Sequence, residues 1–297
     1  MLKDKKTRAN LFILGAPKCG TTSLSWWLGQ HPDVFLPEIK EPHLYYSPYP
    51  HKISLEKYER LYEESISERY RIDASVWYLF SNDAVEKILS DCEDAKFIVC
   101  LRNPIEMAPS LHAQILFTGY EKEKNFRAAW RLAEERESGK PVKAFNMAGG
   151  DLSYLSYRKT CKLGEQVARL LELVSEDRVI FVFLDDLRED RDKVWKGLLC
   201  FLGLDDCNEI DFAVRNKATK RRSNLLNRII LLVVKILNFF GFKGGTGAGK
   251  AVYSMNTKES AYEAVPIDLI EEMKNEFGPD VELLSKLTGR ELGSWLK

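Results

Sequence analysis

The chain has 297 residues, enough for one large α/β domain or two small ones, with ample length to bury a core. Its 44 basic and 44 acidic residues balance, which excludes a global field drawing in nucleic acid, so any anion must be held by a local pocket. Cys19, Cys92, Cys100, Cys161, Cys200 and Cys207 form no C-x-x-C pair and no metal-type cluster with histidine, the pattern of reduced thiols in a cytoplasmic protein without a metal.

Taken in chain order, the basic stretch 1–10 leads straight into the apolar run Leu11–Leu14, too short for a signal peptide and read as a first strand. The glycine-containing stretch "GAPKCGTTS" follows at 15–23, and then "TTSLSWWLGQH", which has helical spacing and ends near Gly29. Helical spacing recurs over 54–65, 81–90, 122–138 and 154–174. Lys96–Leu101 predicts a second strand, followed by Arg102-Asn103-Pro104, whose proline can open a helix at its first turn. Pro109 would strain the interior of that helix and predicts a late start or a kink. Arg178–Leu184 predicts a third strand, and 185–204 an amphipathic helix stopped by Gly203. Residues 266–297 read as terminal helices. Strands alternating with helices predict an α/β, three-layer, P-loop-like fold over one domain, 1–297, with a central parallel sheet flanked by helices.

A strand, a tight loop and a helix aim backbone N–H groups and a helix dipole at one spot. In 15–23, Gly15 and Gly20 permit the turn, Lys18 adds a charge, and Thr21, Thr22 and Ser23 add hydroxyls, with Ala16, Pro17 and Cys19 between them. The plainer alternative is a strand-to-helix turn with a threonine cap. An ATP-binding loop would place its lysine directly after the second glycine, whereas Lys18 precedes Gly20 by two residues. A second stretch, "GGTGAGK" at 244–250, does satisfy G-x-x-x-x-G-K. Ala251 stands there in place of the Mg²⁺-holding hydroxyl, and no clear strand precedes it, so 243–260 reads as a flexible loop able to close over a ligand. Arg102 at the carboxyl end of a parallel strand, with Ser110 further along the helix, makes a clamp suited to phosphate.

Together, "GAPKCGTTSL" and Arg102-Asn103-Pro104 with Ser110 resemble the sulfotransferases that use 3′-phosphoadenosine 5′-phosphosulfate (PAPS). The stretches "QHPDVFLPEIKEPHLYY", "FVFLDDL" and "DVELLSKLTGRELGSWL" extend the resemblance over most of the chain. It is nearer to bacterial and Golgi-type carbohydrate enzymes than to the cytosolic phenol and steroid enzymes. The resemblance implies that residues 16–23 hold the 5′-phosphosulfate, that Arg102 and Ser110 hold the 3′-phosphate, and that the product is the desulfated nucleotide, PAP, with no metal required. Met107 and Pro109 depart from the arginine and aromatic usual in that family, and the segment near 244 lacks its usual basic motif. By the same resemblance Glu41 in "KEPH" is the catalytic base and His43 its orienter or substitute, acting on a hydroxylated acceptor such as a glycan or glycolipid. Without it, Lys40–His43 reads as a surface loop. Asp73 and Ser75 then border the acceptor cleft, while Trp77, Tyr78 and Phe80 read as core.

The apolar stretch 224–242 keeps Asn224, Asn227, Arg228, Lys235 and Asn238 on one arc at about 100° per residue. Its cations exclude a membrane span, leaving a core-packed amphipathic helix or one lying peripherally on a membrane. Two rival functions remain, a kinase or NTPase using 244–250 and a non-catalytic nucleotide-binding protein.

Overall fold

The structure, a computed structural model, describes residues 8–46, 52–137, 155–207, 210–214, 219–221, 257–259 and 265–297. The expected apolar helix 224–242 and the glycine motif 244–250 lie outside the described residues. Among those described, no helix is long and apolar enough to cross a membrane.

A five-stranded sheet forms the centre. Its strands are β1 (Leu11–Gly15), β2 (Val34–Phe35), β3 (Tyr70–Asp73), β4 (Lys96–Leu101) and β5 (Val179–Phe183), in the order β2-β3-β1-β4-β5. Every pairing in it is parallel. The sequence β1 LFILG is buried at every position, because a parallel strand covered on both faces needs an unbroken apolar run rather than an alternating one. The flanking helices are α1 (Thr21–Leu28), α2 (Leu55–Arg60), α3 (Ala84–Asp91), α4 (Pro104–Thr118), α5 (Phe126–Glu137), α6 (Tyr157–Cys161), α7 (Leu163–Leu173), α8 (Leu184–Glu189), α9 (Arg191–Leu202) and α10 (Ile267–Thr288). A short antiparallel pair, β6 (Thr219–Arg221) with β7 (Thr257–Glu259), stands apart from the sheet.

Three expectations change. The single helix expected over 154–174 is two, α6 and α7, broken at Lys162. The break is held from a distance: Asp280 of α10 accepts the Gly164 and Glu165 N–H groups, both at 2.9 Å, capping the start of α7. The helix expected over 185–204 is likewise α8 and α9. Asp190 lies between them and caps α9 by accepting the Lys193 N–H at 3.0 Å. The helix after Arg102 does not start late. Pro104 takes its first position, Asn103 caps it by accepting the Ile105 N–H at 2.9 Å, and it runs on through Pro109.

Strands β2 and β3 had no counterpart in the sequence reading. They are short, two and four residues, and although β3 YRID alternates apolar and polar residues as a strand does, four positions are too few for the period to stand out. Its place beside β1 comes from pairing, Leu11 with Ile72 and Phe12 with Asp73. In the strand order β1 lies between β3 and β4, so the chain leaves β1 and returns to the sheet on both sides of it. The carboxyl ends of β1 and β4 therefore diverge at a topological switch point, where ligands of open α/β sheets bind.

Candidate active site

The loop after β1 is shaped by backbone geometry. Gly15 has φ 131°, and a Cβ there would lie 2.3 Å from the Val76 carbonyl oxygen, so only glycine fits. Lys18 (φ 68°) and Gly20 (φ 88°) are both left-handed. Gly20 caps α1, and the helix closes its first bond from Leu24 N to Gly20 O at 3.2 Å. The amides of the first turn thus point out of the helix end into the cleft, which favours an anion there. Left-handed Lys18 costs about 1–2 kcal/mol, a strain kept where it places a functional group. Ala16 and Cys19 face the other way. Ala16 N–H donates to Cys100 O at 2.7 Å, and Cys19 N–H to Ala16 O at 3.3 Å. The Cys19 thiol is buried against Pro17 O and Met107 Sδ, and burial pushes it up to about 12, so it is not a thiolate.

The end of β4 supplies Arg102. Its Nη1 donates to Lys18 O at 3.1 Å, tying the loop to the neighbouring strand. Its Nε and Nη2 donate to Glu106 Oε2 at 3.3 and 3.0 Å. Arg188 of α8 donates to the same oxygen at 3.4 Å. Burial, and after it repulsion from Arg102, lowers the Lys18 ammonium from its usual value. Ser110, buried on α4, faces the same cleft.

Opposite lies the segment Lys40–His43. Lys40 Nζ donates to Glu41 Oε1 at 2.6 Å and reaches Thr21 and Thr22 Oγ1 at 3.4 and 3.2 Å. It therefore links the loop after β1 to the carboxylate. His43 Nε2 is 3.4 Å from Glu41 Oε2. Burial would raise the Glu41 carboxyl, but Lys40 and then His43 outweigh it and hold it at about 2. Glu41 is 34% exposed on the cleft wall, whereas His43 is 1% exposed behind it.

Beneath this loop sits a buried polar hub. Asp73 accepts Ser75 N–H (3.0 Å) and Ser75 Oγ–H (2.6 Å) on one oxygen, and the hydroxyls of Tyr58 (3.1 Å) and Tyr78 (3.0 Å) on the other. Ser75 Oγ in turn accepts the His43 N–H at 2.9 Å, which holds His43 at its left-handed φ of 52°. Asp73 and Ser75 thus lie under the loop, not on the cleft wall where the sequence reading put them.

One cleft of about 320 Å³ gathers Pro17, Lys18, Gly20, Thr21, Thr22, Ser23, Glu41, Arg102 and Ser110. Of the other residues expected in the site, Ala16, Cys19 and His43 are packed behind its wall. The cleft also takes in residues the sequence reading missed: Trp27, Gln114, Arg188, and Leu184 and Leu187 of α8. The α8 leucines cover the loop closely, for a Cβ on Gly20 would lie 3.1 Å from Leu184 Cδ1. Arg188 could have been suspected, because "DDLRED" follows a strand as Arg102 does. Lys40 was visible beside Glu41, but its reach to Thr21 and Thr22 was not.

Residues 8–225 match the family described as the sulfotransferase domain. Among solved structures, a sulfotransferase from Alicyclobacillus acidocaldarius is similar at 24% identity, covering 98% of this chain and 100% of that one, with a TM-score of 0.73. A sulfotransferase domain from the curacin biosynthetic pathway is 17% identical over 69% of this chain and 77% of that one, with a TM-score of 0.48. Mouse sulfotransferase SULT7A1 complexed with PAP is 19% identical over 68% and 61%, with a TM-score of 0.46. The first likeness shows a shared fold; the other two are too distant to carry an argument. No curated protein matches the chain.

Proposed function

The chain belongs to the sulfotransferase domain family and is a PAPS-dependent sulfotransferase; from that premise we propose that its acceptor is a hydroxyl of a carbohydrate or glycolipid, with Glu41 as the base. The observation that supports Glu41 as the base is its place in one cleft with the loop after β1 and Arg102.

The residues fit a donor with two anionic ends. Lys18 and the α1 amides offer one cationic place, and Arg102 with Ser110 offers a second. The cleft volume of about 320 Å³ lies within the roughly 300–1,000 Å³ of small-molecule sites. The donor supplies an activated sulfuryl group whose leaving phosphate gains charge as the acceptor oxygen loses a proton. Lys18 and the first-turn amides stabilise the developing charge from fixed positions. Glu41, on the wall facing the loop, takes the acceptor proton, with His43 Nε2 3.4 Å behind its second oxygen. A carboxylate held at about 2 is a weak base while Lys40 sits on it. Lys40 also reaches Thr21 and Thr22, so a shift toward the loop would raise the proton affinity of Glu41 when the anion site is filled.

The carbohydrate assignment draws on the resemblance at Lys40–His43. The glycolipid alternative draws on the sequence of 224–242, an apolar stretch with its polar residues on one arc, which lies outside the described residues. An acceptor panel of glycans, glycolipids and phenols with ³⁵S-labelled donor tests both, with label expected on a sugar hydroxyl. Label on phenols alone overturns the acceptor class. Tight donor binding with no transfer would favour a silent nucleotide-binding protein.

A further inference from the structure

Arg102 and Arg188 come from neighbouring strands of the sheet, one at the end of β4 and the other in α8 just after β5. Both donate to a single oxygen, Glu106 Oε2, through Arg102 Nη2 (3.0 Å), Arg102 Nε (3.3 Å) and Arg188 Nη1 (3.4 Å). Two guanidinium groups on one oxyanion is the arrangement arginines make around a phosphate. The exposures differ along this set. Arg102 is 11% exposed and set in the wall, while Glu106 and Arg188 are 46% and 51% exposed. A half-exposed carboxylate in an ion pair is weakly held and can exchange into water, whereas the nearly buried arginine needs an anion beside it. Arg188 has a second carboxylate, Asp185, at 3.5 Å, which keeps it near the cleft when Glu106 moves.

We infer that Glu106 is an internal stand-in for the donor's 3′-phosphate, occupying the place between Arg102 and Arg188 and leaving it when nucleotide binds, and that Arg188 is a second ligand of that phosphate. This rests on Arg102 being the 3′-phosphate reader. Displacing Glu106 lowers the apparent affinity for donor and for PAP by the fraction of time the carboxylate fills the site. The same competition speeds release of PAP, because Glu106 returns as the phosphate departs.

The experiment is calorimetric titration of PAP and of adenosine 5′-phosphate into the wild type, Glu106→Gln and Arg188→Gln. Glu106→Gln keeps the size of the side chain and removes its charge, and should bind PAP roughly three- to tenfold more tightly. Arg188→Gln should bind PAP about tenfold more weakly, having lost a charged phosphate contact. Neither should change affinity for adenosine 5′-phosphate. Thermal unfolding checks that both variants fold, and Glu106→Ser serves as a second uncharged substitution. A Glu106→Gln variant that binds PAP no better or worse than wild type means that Glu106 merely orients Arg102, and overturns the inference. So does an Arg188→Gln variant that leaves PAP unchanged or weakens both ligands alike. A wild type that does not distinguish the two nucleotides would instead overturn the reading of Arg102 itself.

Discussion

At 2.6 Å, Lys40 is close enough to Glu41 to decide how that carboxylate titrates. Glu41→Gln keeps the side chain's size and much of its hydrogen bonding. Turnover should fall by about 10²–10⁴-fold while donor affinity stays near wild type, as stopped-flow and equilibrium binding would show. His43→Ala should lower turnover less, because His43 is packed behind Glu41. A larger loss in His43→Ala than in Glu41→Gln would move the base by two residues. Lys40→Met tests the cause of the low Glu41 value. Removing the cation lets the carboxyl rise from about 2 toward its ordinary 4.5. If Glu41 is the base, the acid limb of the kcat/KM profile should therefore move to higher pH in this variant, and an unmoved limb would show that Lys40 does not control the group that limb reports.

The elements around the cleft are held by contacts from outside themselves. The left-handed start of α1 depends on Gly20, and Gly20→Ala adds a Cβ at φ 88°, 3.1 Å from Leu184 Cδ1. Urea unfolding should show a loss of about 1–2 kcal/mol, with donor affinity reduced as the loop shifts. The segment carrying Glu41 and His43 has no regular secondary structure and rests on the Asp73 hub beneath it. Asp73→Ala would strand buried donors on Ser75, Tyr58 and Tyr78. Each such group costs about 1–3 kcal/mol, so the variant should unfold at clearly lower denaturant and, where still folded, lose turnover before donor binding.

Across the whole molecule, the helices far from the cleft are joined by a buried ion pair. Arg136 of α5 donates to both Glu121 oxygens, at 2.7 and 3.1 Å, and Tyr157 of α6 donates to one at 2.9 Å. Arg136 and Glu121 are only 4% and 2% exposed. Burial would raise the Glu121 carboxyl, but Arg136 and local N–H groups hold it below its ordinary 4.5. A depressed carboxyl contributes stability that is present above the unfolded value and is lost as pH falls through the folded value. Asp73 and Asp280, raised by burial, act in the opposite sense, so the comparison is best made between wild type and variant. Glu121→Gln should cost about 3–5 kcal/mol at neutral pH. The gap in Tm between the two proteins should shrink below pH 4.5, and a pH-independent gap would show that the pair's charge is not what stabilises it.

What the sequence by itself determined is local. Unbroken apolar runs marked β1, β4 and β5, since a doubly covered strand admits little else. Gly15, Lys18, Gly20 and the hydroxyls at 21–23 marked a tight strand-to-helix loop, because glycine conformations act over a few residues. Arg102 was legible for the same reason, as a strand end followed by a proline-started helix. The tertiary structure decided what depends on partners distant along the chain. It paired β3 with β1, capped α7 with Asp280 from 116 residues away, and seated His43 on Ser75, 32 residues on. It also joined Arg188 to Glu106 across 82 residues. Periodicity carries no information about such pairs, since which side chains meet is set by the order of strands in the sheet and not by their spacing in the chain.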